Sequence, residues 1–272
     1  MQANTLAEQL FFTTTRIVTF YENGDNGYGT GFFFRYESQG KEQIFLVTNK
    51  HVVKGSTRGE FTFFRNVDGE FALGVTTNLI VNEAEWSQIW FGHPDSDVDI
   101  AICLLEPLIE GVGVYLRTVD SCRIPDAELI QELDALEPIV FVGYPSGIWD
   151  SKNGLPVIRQ GFTASPVSVD FEKSPKFLID ASVFQGSSGS PVFILNKGPW
   201  QNRQGELVGG DRFYFVGVIA AVYSRTHLNE IVPIAIPTVV KPMAKQEERI
   251  NLGIVFKSRT VIEAIEAFMK QS

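Results

Sequence analysis

The hexapeptide Gly186-Ser187-Ser188-Gly189-Ser190-Pro191 places a serine inside a tight glycine turn, directly before the apolar run Val192-Phe193-Ile194-Leu195. A serine hydroxyl is a poor nucleophile until a base accepts its proton and backbone N–H groups stabilise the developing oxyanion. The small residues allow a sharp bend, so the N–H groups of Gly186 and Ser188 can converge and form an oxyanion hole. Most serine–glycine clusters are ordinary turns. The assignment of Ser188 as a nucleophile therefore depends on a matching base and acid.

The candidate base is His51, one of three histidines in the chain. It follows the apolar segment Ile44-Phe45-Leu46-Val47, which predicts a buried strand that runs into a turn. The candidate acid is Asp99, which immediately precedes the apolar run Ile100-Ala101-Ile102-Cys103. A carboxylate there can hold the imidazole tautomer and stabilise the imidazolium. Either residue alone would be an ordinary core, surface or turn residue, but together with the serine they predict a catalytic triad.

Three segments in this order resemble the His, Asp and Ser motifs of trypsin-like serine peptidases with the chymotrypsin fold: Thr48-Asn49-Lys50-His51-Val52-Val53, Asp99-Ile100-Ala101-Ile102 and Gly186-Ser187-Ser188-Gly189-Ser190-Pro191. These motifs are most similar to those of the cytosolic and Deg-type (HtrA-like) bacterial branch of the family. Gly29-Thr30-Gly31-Phe32-Phe33-Phe34 is similar to the first-barrel signature of that branch, and Val140-Phe141-Val142-Gly143-Tyr144-Pro145 is similar to the opening of its second barrel. The resemblance implies an all-β fold of two antiparallel six-stranded barrels with a C-terminal α-helix, no PDZ domain and no cofactor.

The chain is expected to divide into four regions. Period-two or continuous apolar runs bounded by Gly, Pro and Asn predict strands almost throughout, and helical spacing of apolar residues predicts a helix at the end. In chain order the regions are an N-terminal barrel with the histidine and aspartate, an inter-barrel crossing with a short helix, a C-terminal barrel with the serine, and a C-terminal helix: residues 1–108, 109–136, 137–256 and 257–272.

The resemblance also implies a substrate-binding region. It places Val183 near the base or wall of the primary specificity pocket. It places Ala220, Ala221 and Val222 on the strand against which a peptide substrate would pair by β-augmentation. No acidic residue falls where a trypsin-type enzyme recognises Lys or Arg. We therefore expect a preference for small or medium apolar residues before the cut.

Composition limits the classes of partner and compartment. The 272 residues, 44% of them hydrophobic, are enough for one two-barrel unit with a substantial core. A net charge of −9 disfavours nucleic acid and anionic membranes as partners, while polypeptide substrates remain compatible. Only two cysteines occur, Cys103 and Cys122, which argues against a disulfide framework. With no signal peptide pattern and no membrane-spanning apolar run, a cytoplasmic location is expected.

A different serine hydrolase class remains as an alternative. An α/β-hydrolase orders its triad Ser, Asp, His, and Ser188, Asp211 and His227 occur in that order. Its nucleophile elbow, however, requires G-x-S-x-G, and Ser190 stands where the second glycine belongs. The predicted elements also lack the alternating helices of that fold.

Two further motifs, one like a calcium loop and one like a zymogen cleavage site, are expected to have no function. Asp95-x-Asp97-x-Asp99 resembles the start of a calcium loop, but Ile100 occupies the glycine position, so no metal site is expected. Arg16-Ile17-Val18 resembles a zymogen cleavage site, but Ser187 replaces the aspartate that would pair with the freed amine.

The absence of an evident control element leaves a second hypothesis, a latent or catalytically silent trypsin-like module that acts by protein binding or is activated by a partner.

Overall fold

The computed structural model of the chain describes residues 2–38, 40–227 and 246–271. The side chains of residues 224–227 and 246–250 lie outside that description. Part of the predicted C-terminal barrel, residues 228–245, is therefore also outside the described residues.

Mainly antiparallel strands are the dominant secondary structure of the described chain. In chain order, β1 to β17 are Thr14–Phe20, Asn26–Ser38, Lys41–Thr48, Arg58–Val67, Glu70–Val81, Phe91–Gly92, Ala101–Leu104, Val114–Tyr115, Val119–Asp120, Pro138–Gly143, Val157–Thr163, Lys176–Asp180, Pro191–Asn196, Trp200–Gln201, Leu207–Val208, Arg212–His227 and Gln246–Lys257. The helices α1 to α6 are Leu6–Leu10, Lys50–Val53, Glu83–Ile89, Glu106–Ile109, Ala127–Glu132 and Arg259–Met269. Single turns of 3₁₀ helix lie at Ser121–Arg123, Pro145–Gly147 and Phe171–Lys173.

The two halves of the chain form two β-structures, as predicted. In the C-terminal half, the strands close into a barrel in the order β10-β11-β12-β17-β16-β13. In the N-terminal half, nine strands form one sheet, with β5-β4-β1-β2-β3-β7-β6 as its main path. Two short strands extend that sheet, since β8 pairs with β4 and β9 pairs with β2. The predicted chymotrypsin-like two-barrel fold with a C-terminal helix is confirmed, and the N-terminal unit carries short additional strands.

Strand β13 shows how the sequence divides its apolar side chains between two cores. Successive side chains of a strand point to opposite faces. Val192 and Ile194 pack inside the C-terminal barrel, whereas Phe193 between them joins the core that the two units share. A continuous apolar run is thus explained by burial on both faces of the strand.

The shared core is built largely from phenylalanine rings. Phe32 and Phe34 of β2 lie 5.3 and 5.9 Å, centroid to centroid, from the ring of Phe215 on β16. Phe193 lies 5.8 Å from the same ring. All four side chains are fully buried. This packing fixes β2 against the C-terminal barrel, beside the turn that carries Ser188.

Helix α6 follows the last barrel strand and packs against the N-terminal unit. Its Phe268 ring lies 5.8 Å from that of Phe45 and 5.7 Å from that of Phe91. Its Glu263 carboxylate lies 3.2 Å from Nε2 of the buried His93. The helix therefore bridges the two units.

Within the described ranges, no helix combines the length and the apolarity needed to cross a membrane.

Candidate active site

Helix α2 and the loop that leads into β7 hold the imidazole of His51 and the carboxylate of Asp99 in direct contact. His51 Nδ1 lies 2.5 Å from Asp99 Oδ2, and the His51 backbone N–H donates to Asp99 Oδ1 at 3.0 Å. The Asn49 amide donates to the Asp99 carbonyl at 2.6 Å. An ionised carboxylate only accepts hydrogen bonds, so such a carboxylate in this position requires the proton on Nδ1. The ring is thus held in the tautomer that leaves Nε2 free to accept a proton.

The loop before Asp99 is held by its own network. Asp95 N–H donates to His93 Nδ1 at 3.1 Å, and Asp97 N–H donates to Asp95 Oδ1 at 2.9 Å. Lys50 Nζ donates to the Asp95 carbonyl at 2.7 Å, while burial lowers the pKa of that lysine despite the nearby carboxylates. In the described part of the chain, no three His, Cys, Asp or Glu side chains are grouped as metal ligands would be.

The predicted nucleophile lies in a tight turn between β12 and β13. Ser190 N–H donates to the Ser187 carbonyl at 3.0 Å, and Gly189 N–H donates to the Ile219 carbonyl at 2.8 Å. The Ser188 hydroxyl donates to the Ala220 carbonyl at 3.2 Å. Within the described residues it makes no hydrogen bond with the histidine of helix α2.

A short segment of β2 connects the serine turn to the histidine helix. Thr30 N–H donates to the Ser188 carbonyl at 2.9 Å. A Cβ added to Gly189, whose φ is 89°, would lie 1.9 Å from the Thr30 carbonyl oxygen. On the other side of the segment, a Cβ on Gly29 would lie 2.4 Å from Val52, the residue after the histidine. Glycine is required at both contacts, and these approaches bring the serine turn and the histidine helix to one strand.

The two expected oxyanion donors have no protein acceptor among the described residues. Gly186 has φ +86°, and an added Cβ would lie 2.4 Å from the Tyr144 carbonyl oxygen, so only glycine fits. The Gln185 carbonyl accepts from the Ser146 N–H, and the Ser187 carbonyl accepts from the Ser190 N–H. The C=O and N–H of a trans peptide point in opposite directions. The N–H groups of Gly186 and Ser188 therefore point away from these bonds.

The predicted substrate-binding residues divide between core and surface. Val183 is 3% exposed, and its Cγ2 lies 2.8 Å from the position of a Cβ on Gly253. Ala220 is also buried, whereas Ala221 is exposed and Val222 is half-buried. The last two residues pair with β17 on one edge, and the pairing of β16 with β13 has ended before them. In the described chain, the other edge of this short stretch has no strand partner.

The residues of the alternative hydrolase order are not assembled. Asp211 is exposed, and its Oδ1 accepts from the Gly198 N–H at 2.7 Å in a turn. His227 ends β16, and its side chain is outside the described residues. The all-β fold also excludes an α/β-hydrolase. The zymogen-like segment lies within β1, where Ile17 is fully buried.

Two residues that the sequence analysis did not assign touch the serine turn, Thr30 and Ser146. Thr30 lies between two glycines of the first-barrel signature, and Ser146 directly follows the second-barrel signature, after Gly-Tyr-Pro. The sequence signal for both residues was the presence of a polar side chain in or next to a motif of small or turn-forming residues. Their partners, 156 residues away for Thr30 and Gly186, cannot be inferred from local pattern.

The chain is similar to proteins of solved structure and to one family of sequences. The structure of GrC shares 13% sequence identity, with a TM-score of 0.50 over 96% of this chain and 95% of that chain. The active form of the Rv3671c protease from M. tuberculosis shares 17% identity, with a TM-score of 0.48 over 97% of this chain and 83% of that chain. None of the curated proteins matches the sequence significantly. The family model described as "Trypsin-like peptidase domain" matches residues 29–209. The chain therefore belongs to the trypsin-like peptidase family and is a trypsin-like serine protease.

Proposed function

We propose that this protein is a serine endopeptidase that uses Ser188 as nucleophile, His51 as general base and acid, and Asp99 as the group that orients the imidazole. The observation that carries the proposal is the pairing of one carboxylate with both Nδ1 and the backbone N–H of the histidine, at 2.5 and 3.0 Å. This arrangement leaves Nε2 as the nitrogen that takes the serine proton.

The proposed reaction begins with rotation of the Ser188 hydroxyl from the Ala220 carbonyl toward His51 Nε2. The serine oxygen attacks the substrate carbonyl while its proton passes to Nε2. The N–H groups of Gly186 and Ser188 stabilise the resulting oxyanion, and the imidazolium then protonates the leaving amine. Water attacks the acyl-enzyme with the same histidine as base, which releases the acid product and restores the serine. No cofactor takes part in these steps.

The substrate is a polypeptide, as for the peptidase family, and we propose that it pairs with the free edge at Ala221 and Val222. Val183 and Ile179 both crowd the position of a Cβ on Gly253, at 2.8 and 2.9 Å. These apolar side chains support the preference for small or medium apolar residues before the cut. A peptide library tests the preference, and dominant cleavage after Arg or Lys would overturn it.

Labelling with a fluorophosphonate probe tests the mechanism, because the probe reacts with a serine only when base and oxyanion donors are assembled. The wild type should be labelled at Ser188, and Ser188→Ala and His51→Ala should each abolish labelling. Ser151→Ala, at an exposed serine, is the matched control and should react like the wild type. A folded wild type that stays unlabelled, or is labelled at another residue, would contradict the proposal.

A latent form of the same enzyme is the second candidate, favoured by the hydrogen bond from the Ser188 hydroxyl to the Ala220 carbonyl. In that case a protein partner would release the serine toward the histidine and so control proteolysis. The purified protein should then cleave unfolded casein slowly and accelerate when the partner is added. Cleavage of casein at many sites with ordinary turnover would exclude latency.

The cytoplasm remains the compartment that we propose. Cys103 is buried, and burial raises the pKa of its thiol to about 12, while Cys122 is exposed; neither forms a disulfide. An exposed thiol without a partner is typical of a reducing compartment. Fractionation of cells that express the protein with its own termini tests this location.

A further inference from the structure

The serine turn is held without an ion pair next to the nucleophile. Ser187 stands directly before Ser188, and its side chain is 1% exposed. Its hydroxyl accepts only a long hydrogen bond, 3.4 Å, from the Phe184 N–H. A buried neutral serine at this position cannot anchor the turn through charge. The orientation of the oxyanion donors must therefore be fixed by other contacts.

Thr30 supplies such contacts from the opposite unit. It is fully buried on β2, and its backbone N–H donates to the Ser188 carbonyl at 2.9 Å. Its hydroxyl donates to the Gly186 carbonyl at 2.8 Å and accepts the Tyr144 N–H at 3.1 Å. One side chain of the N-terminal unit thus joins the serine turn to the start of the loop after β10.

The peptide planes around the nucleophile show what these bonds control. The carbonyls of residues 185 and 187 are bonded to N–H groups of the C-terminal unit, and those of residues 186 and 188 are bonded to Thr30. The Gly186 and Ser188 N–H groups share their peptide planes with the carbonyls of residues 185 and 187, so the bonds within the C-terminal unit orient these donors directly. The carbonyls of residues 186 and 188 belong to the next peptides, so Thr30 holds the two planes that directly follow the donor residues. Thr30 provides two of the four bonds, one from its hydroxyl and one from its backbone.

The fit around the hydroxyl is tight. A Cβ on Gly143 would lie 2.6 Å from Thr30 Oγ1 and 2.1 Å from Ser190 Oγ, so glycine is needed there to admit the hydroxyl. Loss of the hydroxyl would leave the Tyr144 N–H and the Gly186 carbonyl buried without a partner, which is costly. The turn would then relax toward other acceptors and donors.

We propose that Thr30 is a positioning residue for the oxyanion hole: its hydroxyl holds the peptide that follows Gly186, and so couples the docking of the two units to the conformation of the residue whose N–H is an oxyanion donor. The inference rests on the proposed serine peptidase mechanism, and it adds a residue that the triad and the oxyanion donors do not include. Thr30 acts through the turn and does not touch the substrate.

The test compares Thr30→Val, which keeps the shape and removes the hydroxyl, with Thr30→Ser, which keeps it. The second-order rate of fluorophosphonate labelling should fall about 10²-fold in the valine variant, because loss of one oxyanion donor costs about 10²–10³-fold in rate. The serine variant should retain most of the wild-type rate. In the Ser188→Ala background, Thr30→Val should bind a substrate peptide as tightly as its parent, since the oxyanion forms only in the transition state.

Thr15→Val is the matched control. The Thr15 hydroxyl is fully buried, donates to the Thr62 carbonyl at 2.7 Å and accepts the Thr62 N–H at 3.1 Å, so it makes the same pair of bonds away from the serine turn. It should lower the melting temperature to a similar degree without changing the labelling rate of the folded protein. If Thr30→Val does not fold, Thr30→Ala replaces it, since alanine also lacks the hydroxyl and is smaller than threonine.

Hydrogen exchange separates this inference from the proposed function. Amide exchange at residues 144–147 and 184–190 should accelerate in Thr30→Val and not in Thr15→Val, whether or not the protein is an active enzyme. A wild type that is never labelled would refute the proposed mechanism, and exchange would still decide the role of Thr30. Wild-type labelling with an unchanged rate and unchanged exchange in Thr30→Val would overturn the inference.

Discussion

The His51 and Asp99 pair illustrates how much of the site depends on single atoms. One oxygen of the carboxylate bonds the ring at 2.5 Å, and the other bonds the backbone of the same histidine at 3.0 Å. The carboxylate is thereby fixed in rotation as well as in position, so it can hold the ring through both proton transfers. A side chain of the same shape that can donate a hydrogen bond as well as accept one should keep the geometry of the site but lower the catalytic rate.

Asp99→Asn provides that change. An amide in this position would favour the tautomer with the proton on Nε2, which cannot accept the proton of Ser188. The value of kcat/KM at neutral pH should fall about 10⁴-fold, while the melting temperature changes little. Asp97→Asn, at an exposed carboxylate of the same loop, should leave both quantities unchanged. Equal rates for wild type and Asp99→Asn would remove this carboxylate from the mechanism.

The triad residues could be proposed from the sequence because their chemistry is visible in their neighbours. His51, Asp99 and Ser188 each stand at the end of an apolar run or inside a turn motif, so their places could be predicted. The hydroxyl of Thr30 gives no such signal, because its acceptor lies 156 residues away. Val183 was expected near the specificity pocket, and the structure places its side chain at 3% exposure against Gly253.

At the scale of elements, helix α6 is attached at its first turn by an ionic cluster. Asp170 lies 2.6 Å from Lys257 Nζ and 2.7 Å from Arg259 Nη2. Burial opposes ionisation of Asp170, but hydrogen bonds from the two cations outweigh it and hold its pKa below the ordinary value of 3.8. Burial also lowers the pKa of Lys257, a cost that the aspartate partly offsets. The carboxylate therefore stabilises the junction of β17 and α6.

Asp170→Asn should lower the free energy of unfolding by about 1–3 kcal/mol at neutral pH, since it leaves a buried lysine without its counter-charge. A lowered pKa in the folded state means that this stabilisation is present above the unfolded value and is lost as pH falls through the folded one. The difference between wild type and variant in urea unfolding should therefore shrink as pH falls below about 4. Asp180→Asn, at an exposed site on β12, should show no such difference at any pH.

The two-residue strands could not be predicted from the sequence, for a related reason. β8 and β9 have two residues each and pair with β4 and β2 across long stretches of chain. Two residues cannot display a period, so alternation of apolar side chains carries no information about them. The longer strands, such as β13, display a continuous apolar run because both of their faces are buried.

At the scale of the whole molecule, the aromatic core between the units holds the two parts of the site together. Phe215 of the C-terminal barrel contacts Phe32 and Phe34 of β2 at 5.3 and 5.9 Å. The same strand carries Thr30, which binds the serine turn. A loss of packing at Phe215 should therefore affect the active site as well as the stability.

Phe215→Ala should cost about 3–5 kcal/mol of folding free energy through the cavity that it leaves. Phe177→Ala is the control, because Phe177 is equally buried but lies inside the C-terminal barrel. Under conditions in which both variants are folded, Phe215→Ala should show the lower rate of fluorophosphonate labelling. Equal labelling rates would mean that the shared core does not determine the alignment of the site.

The position of α6 also has a consequence for biosynthesis. The ribosome makes this helix after all of the described strands, yet its Glu263 and Phe268 contact His93, Phe45 and Phe91 in the half that is made first. His93 in turn holds the loop that leads to Asp99. A nascent chain without α6 lacks these supports, so we expect the loop that leads to Asp99 to reach its final position only after the helix has emerged from the ribosome.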